Sequence, residues 1–363
     1  MTLTSHRLQT DAQQERAGLR LHRFLWFGVV LILIAAAGAL GYSLGTRPAV
    51  VETGIAATQR GFALPTWEEG GYDGPQVDQA LGEIVDVGAT WVQFTPTWYQ
   101  QTRSTSEITR TPRTVSDAGL ERAIALAHQH GLKVFLKPHI DLPNPGKDSR
   151  NNIRPDDPDA WFASYTAFIG HYASMAARLG VEQFAVATEL SSTTDHVDAW
   201  LEVIRTVRER YHGTVLYAAG ADYARVPFWD AVDVIGIDAY WPLSDKPTTD
   251  VRMLKLSWES IRAELAELSA KYDRKILFTE AGFTSQQGAT TSPSDWKLSD
   301  TPNQTEQAAA YHSLLAALSD QAWWAGVYWW VWNALPDNGA DHALNFSPRG
   351  KAAEWVIRGW WAK

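Results

Sequence analysis

The segment KILFTEAGF, residues 275–283, starts as an apolar β-strand through Ile276, Leu277 and Phe278 and then sets Glu280 directly before Ala281 and Gly282. Side chains alternate along a strand, so Ile276, Phe278 and Glu280 are expected on one face. A second segment, QFAVATE at 183–189, ends in the same way, and the same count puts Ala185, Ala187 and Glu189 together. If both faces line a closed barrel, large residues under one glutamate oppose small ones under the other, and both carboxylates stand at the mouth.

Working outward, eight short apolar runs recur: 61–64, 91–94, 133–139, 183–189, 214–219, 233–240, 275–280 and 326–332. Amphipathic stretches with helix signals lie between them. Gly74-Pro75 precedes QVDQALGEIVDVG, Ser116 precedes DAGLERAIALAHQHG, and Asp195 precedes HVDAWLEVIRTVRERYHG, the last two ending in a stop glycine. Eight β/α units predict an α/β fold, a (β/α)8 TIM barrel. A doubly wound open sheet is the alternative, but no glycine-rich phosphate fingerprint follows the first run. Long connections at 95–115, 141–157 and 284–305 follow strands two, three and seven. They fall on the rim where such barrels build their sites, and are expected to wall a cleft.

The front of the chain differs. Residues 24–45, FLWFGVVLILIAAAGALGYSLG, carry no charge and are long enough to cross a bilayer as one helix. Arg7, Arg16, Arg20 and Arg23 precede the run and only Arg47 closely follows it, which orients the N-terminus to the cytoplasm. The expected organisation is a cytoplasmic leader (1–23), a transmembrane signal anchor (24–45), a tether (46–53) and an extracellular catalytic domain (54–363). Cleavage near Ala37–Ala39, as in a secretory signal peptide, is the competing reading.

Composition narrows the function classes. The chain has 363 residues, 45% hydrophobic and 20% charged, enough to bury one large core. Its net charge is -9 with no run of Lys or Arg, which argues against nucleic acid as a partner. Cysteine is absent, removing thiolate and cysteine-zinc chemistry. Eighteen tryptophans supply a core and also flat platforms for sugar rings.

Two carboxylates across a barrel mouth suit glycoside hydrolysis, in which one protonates the leaving oxygen and the other attacks the anomeric carbon. Either glutamate alone would more readily be a cap or an ion-pair partner; both at strand ends reverse that reading. On strand eight, Tyr328, Trp330 and Trp332 are expected on one face. Both tryptophans are site candidates, Trp332 first as a platform and Trp330 first as core.

The segments LKPHID (136–141), ATEL (187–190), YAAGAD (217–222), IGIDAYWPL (235–243), FTEAGF (278–283), GVYWWVW (326–332) and SPRGKAAEWVIRGWW (347–361) occur in an order that resembles glycoside hydrolase family 113 of clan GH-A. The resemblance spans about residues 54–361 and implies β-1,4-mannanase activity by a retaining double displacement. It makes Glu280 the nucleophile and Glu189 the acid/base. Tyr240, closing strand six, would orient Glu280, and His139, closing strand three, would bind a sugar hydroxyl. Trp67 and Trp98, just past strands one and two, are candidate subsite walls. Thr188 stands where most clan members have asparagine, and Gly220 and Ala221 replace the family's more usual amide and aromatic ring. No metal motif accompanies His139, so no metal or other cofactor is expected. The expected partners are a mannan-type polysaccharide or oligosaccharide and, through the anchor, the membrane; the expected state is a monomer. Other readings are a retaining enzyme for xylan or β-glucan, a non-catalytic polysaccharide-binding barrel and, more remotely, a metal-dependent hydrolase or deacetylase.

Overall fold

The computed structural model describes residues 59–143, 149–334 and 340–362. All of them fall within one unit, Thr53–Lys363. The leader, anchor and tether expected at 1–53 lie outside the described residues. Among the described residues, no helix is long and apolar enough to cross a membrane.

Eight strands close into a barrel: β1 Gln59–Ala63, β2 Trp91–Phe94, β3 Lys133–Leu136, β4 Gln183–Thr188, β5 Thr214–Ala219, β6 Val234–Ala239, β7 Ile276–Ala281 and β8 Trp324–Trp329. Every neighbouring pair is parallel, and β8 returns to β1. Phe135, Ala185, Leu216, Ala218, Leu277 and Tyr328 fill the interior as a small cluster of their own. Gly61 makes room for Tyr328: a Cβ there would fall 2.3 Å from a ring carbon.

Among the described residues seven longer helices pack outside: α1 Gln76–Asp86, α2 Asp117–Gln129, α3 Pro158–Leu179, α4 Val197–Arg210, α5 Val251–Tyr272, α6 Gln304–Leu318 and α7 Ala352–Trp361. The Ser116 hydroxyl caps α2 by accepting from Gly119 N–H, while Asp157 caps α3 through Ala160 N–H. Asp195 does not cap α4, which instead starts after His196 without a side-chain cap.

The expected eight-fold alternation fails once. Between β5 and β6 the chain forms two 3-10 turns, Tyr223–Arg225 and Trp229–Ala231. The connection is short and contains Pro227, so aromatic side chains occupy the outer layer in place of a helix. Phe228 stacks on Trp200 at 5.8 Å, and Tyr217 meets Phe228 and Trp229 edge-on at 5.3 and 5.9 Å.

The simple alternation along β4 and β7 also fails, for a reason that bears on the site. On β7 the pairing passes from Phe278↔Ile237 to Glu280↔Asp238, and on β4 from Ala185↔Leu216 to Thr188↔Ala218. Each strand therefore carries one extra residue, a β-bulge, just before its glutamate. Leu277, not Ile276 or Phe278, points into the barrel; Phe278 packs outward between Trp241, Trp258 and Trp324. Ala187 likewise joins the outer core while Ala185 stays inside. On β7 the bulge restores the inward direction for Glu280, whereas on β4 it shifts the phase ahead of Glu189, which follows the strand in a left-handed backbone conformation.

Above β2 and β3 the rim is built by a small sheet of Thr97–Gln100, Ile108–Thr109 and His139–Asp141. The connection after β7 is tied down by Glu306, which accepts from Gly288 and Thr290 N–H groups and the Thr290 hydroxyl. Part of the connection after β3, residues 144–148, lies outside the described residues.

Candidate active site

Glu280 leaves the bulge at the end of β7 almost fully buried, and both of its carboxylate oxygens are held. Lys137 Nζ donates to Oε1 at 2.7 Å, and the Tyr240 hydroxyl donates to Oε2 at 2.8 Å. Lys137 follows Phe135 by two residues on β3's inward phase and is wholly buried. Its ammonium also donates to Asp238 Oδ1 at 2.8 Å, an atom that accepts from the Thr279 hydroxyl at 2.7 Å. Burial alone would lower the Lys137 pKa, but Asp238 and Glu280 outweigh it and raise the value, so the lysine stays charged. Burial and the neighbouring Glu280 raise the Tyr240 pKa well above its usual value, which keeps it a donor.

His139 Nε2 lies 3.9 Å from Glu280 Oε1. Arg150 Nη1 sits 2.9 Å from His139 Nδ1, while the same guanidinium pairs with Asp141 at 2.7 Å. Burial, then the Arg150 and Lys137 charges, push the His139 pKa well below its usual value, so the ring is neutral. Because arginine can only donate, Nδ1 accepts and the ring proton sits on Nε2. That N–H is buried and has no hydrogen-bond partner among the described residues, leaving a donor for something that enters the cleft.

Glu189 is placed differently. It sits at φ 51, in the left-handed region where non-glycine residues are uncommon, and its amide N–H donates to Ala218 C=O at 2.8 Å. Backbone strain of this kind persists where the surroundings fix it, as the bulge and this hydrogen bond do here. Among the described residues no hydrogen bond holds its carboxyl group. Burial, then the Asp238 and Glu280 charges, raise its pKa to about 8 against the opposing pull of Arg150 and Lys137. At neutral pH this carboxyl is mostly protonated, whereas Glu280 has the Lys137 ammonium and the Tyr240 hydroxyl as donors. Asp238 is also raised, by burial first and Glu280 second.

The tryptophans sort differently from the expectation. Trp330, just past β8, is half-buried, with its ring 6.4 Å from His139 and nearly parallel to it at 18°. Trp67 stands 6.3 Å farther on and is 40% exposed, so a row of rings climbs from His139 to the rim. The peptide between Trp330 and Val331 is cis. Trp332 does not face the cleft: it lies under the helix layer against Phe62 and its indole N–H points to Glu83. The strand ends at Trp329, so two-residue alternation no longer carries Trp330 and Trp332 to one side. Trp98 also turns away, packing on Phe168 of α3 and donating to the Tyr172 hydroxyl, with Arg110 over its ring at 5.1 Å.

The structure thus gathers Glu189, Glu280, His139, Tyr240, Trp330 and Trp67 and separates Trp98 and Trp332 from them. It adds Lys137, Asp238 and Arg150, which the sequence reading missed. Two of these had a signal: a charge at an inward position of an apolar strand, in KVFLKPH and in VIGIDAY, needs a partner. Arg150, in a rim turn, had none. Among the described residues no cluster of three or more His, Asp or Glu side chains is arranged to hold a metal ion.

The profile of Glycoside Hydrolase Family 113 matches residues 62–351. Among solved structures, the family 113 β-mannanase of Alicyclobacillus acidocaldarius, in complex with ManMIm, is 28% identical with a TM-score of 0.77, the match covering 86% of this chain and 99% of that one. A complex structure of another family 113 β-1,4-mannanase is 27% identical with a TM-score of 0.76, covering 84% and 98% of the two chains. A family 5 mannosidase from Rhizomucor miehei, 9% identical with a TM-score of 0.60 over 86% and 96% of the chains, shares the fold. No curated protein matches the chain.

Proposed function

The chain belongs to glycoside hydrolase family 113, and we propose that it cleaves β-1,4-mannosidic bonds in mannan, glucomannan or manno-oligosaccharides with retention of configuration. The observation that carries this reading is the asymmetry of the two glutamates: one paired with a lysine and a tyrosine, the other unpaired with a pKa raised to about 8. Environment divides two like carboxyls into a nucleophile and an acid. The mannanase activity of the similar structures supplies the substrate class.

In the first step a Glu280 oxygen attacks the anomeric carbon while the bond to the glycosidic oxygen breaks. That oxygen keeps the bonding pair and takes the proton of Glu189. The negative charge on Glu280 is then spent in the ester, so one of the charges that raised the Glu189 pKa is gone. Glu189, now a carboxylate, removes a proton from water as the water oxygen attacks the same carbon and releases Glu280. Tyr240 and Lys137 hold the nucleophile in place. His139 Nε2–H donates to a hydroxyl of the sugar being cleaved, and Trp330 and Trp67 carry the sugar faces.

The same reading places the catalytic domain outside the cell on a single-pass anchor, supported by the uncharged run at 24–45 and the arginines before it. The enzyme proposal is tested by following mannotetraose hydrolysis by proton NMR: the first product anomer is β, and Glu280→Ala abolishes release. A first-formed α product, or full activity in the variant, would overturn it.

A further inference from the structure

Asp238 lies among the charged groups of the site and takes no part in the bond changes of the mechanism. The bulge at the end of β7 fixes its partners: Glu280 pairs in register with Asp238 and Thr279 is the extra residue, so two consecutive side chains meet one aspartate. Thr279 is buried, and its hydroxyl donates to Asp238 Oδ1 at 2.7 Å. Gly236, two residues earlier on β6, makes room for that threonine, since a Cβ there would fall 3.1 Å from its methyl carbon. Lys137 Nζ lies 2.8 Å from Asp238 Oδ1 and 2.7 Å from Glu280 Oε1, so one ammonium serves two carboxyls almost equally. Asp238 Oδ2 is buried and accepts from none of the described residues. For folding alone this is a costly arrangement, because Lys137 and Glu280 could pair without burying a second carboxylate.

We propose that Asp238 is a positioning residue that couples the two glutamates: it draws part of the Lys137 ammonium away from Glu280, and its remaining charge acts on Glu189. This rests on the roles given to the glutamates above. Were the whole ammonium turned on Glu280, that carboxylate would attack more slowly and leave its ester more readily. Dividing the lysine keeps the nucleophile aimed and still reactive. On the other side, burial and then the Asp238 charge do most to raise the Glu189 pKa, ahead of Arg150, Glu280 and Lys137. Burial and Glu280 raise the Asp238 pKa to about 6 against Lys137 and Thr279. Asp238 is therefore a carboxylate through the window, about 6 to 8, in which Glu189 is still an acid.

The test is Asp238→Asn in the full chain, read in two ways. The alkaline limb of kcat/KM on mannotetraose moves to lower pH by about half a unit or more, since the largest charge raising Glu189 is gone. The second reading separates making the ester from breaking it. With 2-deoxy-2-fluoro-β-mannobiosyl fluoride, a Glu280 oxygen bonds to the anomeric carbon and fluoride leaves with its bonding pair. Azide then displaces Glu280 without needing a proton removed. The variant forms this ester about tenfold more slowly and releases it to azide faster than wild type, a split that general damage to the fold does not produce. If Asp238→Asn loses its native circular dichroism, Lys137→Met/Asp238→Asn, which leaves neither partner buried alone, decides: its limb still lies below that of wild type, because Asp238 weighs more on Glu189 than Lys137 does. An unmoved limb, or ester formation and release slowed together, overturns the role of Asp238 while the enzyme proposal stands. A wild-type chain that neither hydrolyses mannotetraose nor reacts with the fluoride brings down both.

Discussion

Glu280 and Glu189 stand across one barrel mouth in opposite surroundings. At Glu280 both carboxylate oxygens are held, one by Lys137 and one by Tyr240, and Asp238, itself accepting from Thr279, holds the lysine. Around Glu189 the protein supplies burial, a fixed backbone and neighbouring negative charge, but no hydrogen bond to the carboxyl from the described residues. A group that must stay charged and aimed is built into a network. One that must gain and lose a proton is left open, with only its electrostatic surroundings to set when it does so.

Exchanging what the two sides offer gives the sharpest tests. Glu189→Gln removes the proton donor and lowers kcat/KM on mannotetraose by about 10²–10⁴-fold, with a much smaller loss on 2,4-dinitrophenyl β-mannobioside. Wild-type kcat/KM on mannotetraose falls as pH rises through about 8, the value to which burial and negative neighbours lift Glu189. That alkaline limb disappears from the variant's profile on the aryl substrate. The same group links pH to stability. With a folded pKa above the usual 4.5, the native state binds more protons than the unfolded one between 4.5 and about 8, so Glu189 subtracts stability as pH rises through that window.

The contrast of packed and open surroundings extends to the two tryptophans. Trp332→Ala opens a cavity under α1 and α7 and lowers stability by about 3–5 kcal/mol in a denaturant titration. Trp330→Ala leaves stability within about 1 kcal/mol and raises KM instead, since its half-buried ring faces the cleft. A reversed result would restore Trp332 as the platform. Tyr240→Phe is expected to have the smallest effect. It removes one hydrogen bond to a charged acceptor, about 1.5–3 kcal/mol, and lowers kcat more than it changes KM.

The barrel was legible because its signals are local: apolar runs of strand length, capped amphipathic stretches between them, and two of those runs ending in glutamate. The candidate site was most legible where a residue ends a strand, and Trp67 and Trp330 just past one joined it as well. Glu189, Glu280, His139 and Tyr240 belong to the former class. What misled the reading was phase. A bulge adds one residue without leaving a mark in composition, so Ile276 and Phe278 were placed inside when Leu277 is there, and the same loss of register past Trp329 exchanged Trp330 and Trp332. The fifth connection was misjudged because spacing counts strands more reliably than it counts the helices between them. Trp98 stands at the rim but spends its indole on α3, a tertiary choice that its position in the chain does not reveal.

The division of labour between the two glutamates is tested most directly by azide rescue of each alanine variant on 2,4-dinitrophenyl β-mannobioside. With Glu189→Ala, the Glu280 ester still forms and azide takes the place of water, so the product is the β-glycosyl azide. With Glu280→Ala, azide enters the space left by the nucleophile and the product is the α-glycosyl azide. The same anomer from both variants, or the opposite assignment, would contradict the roles given to these residues.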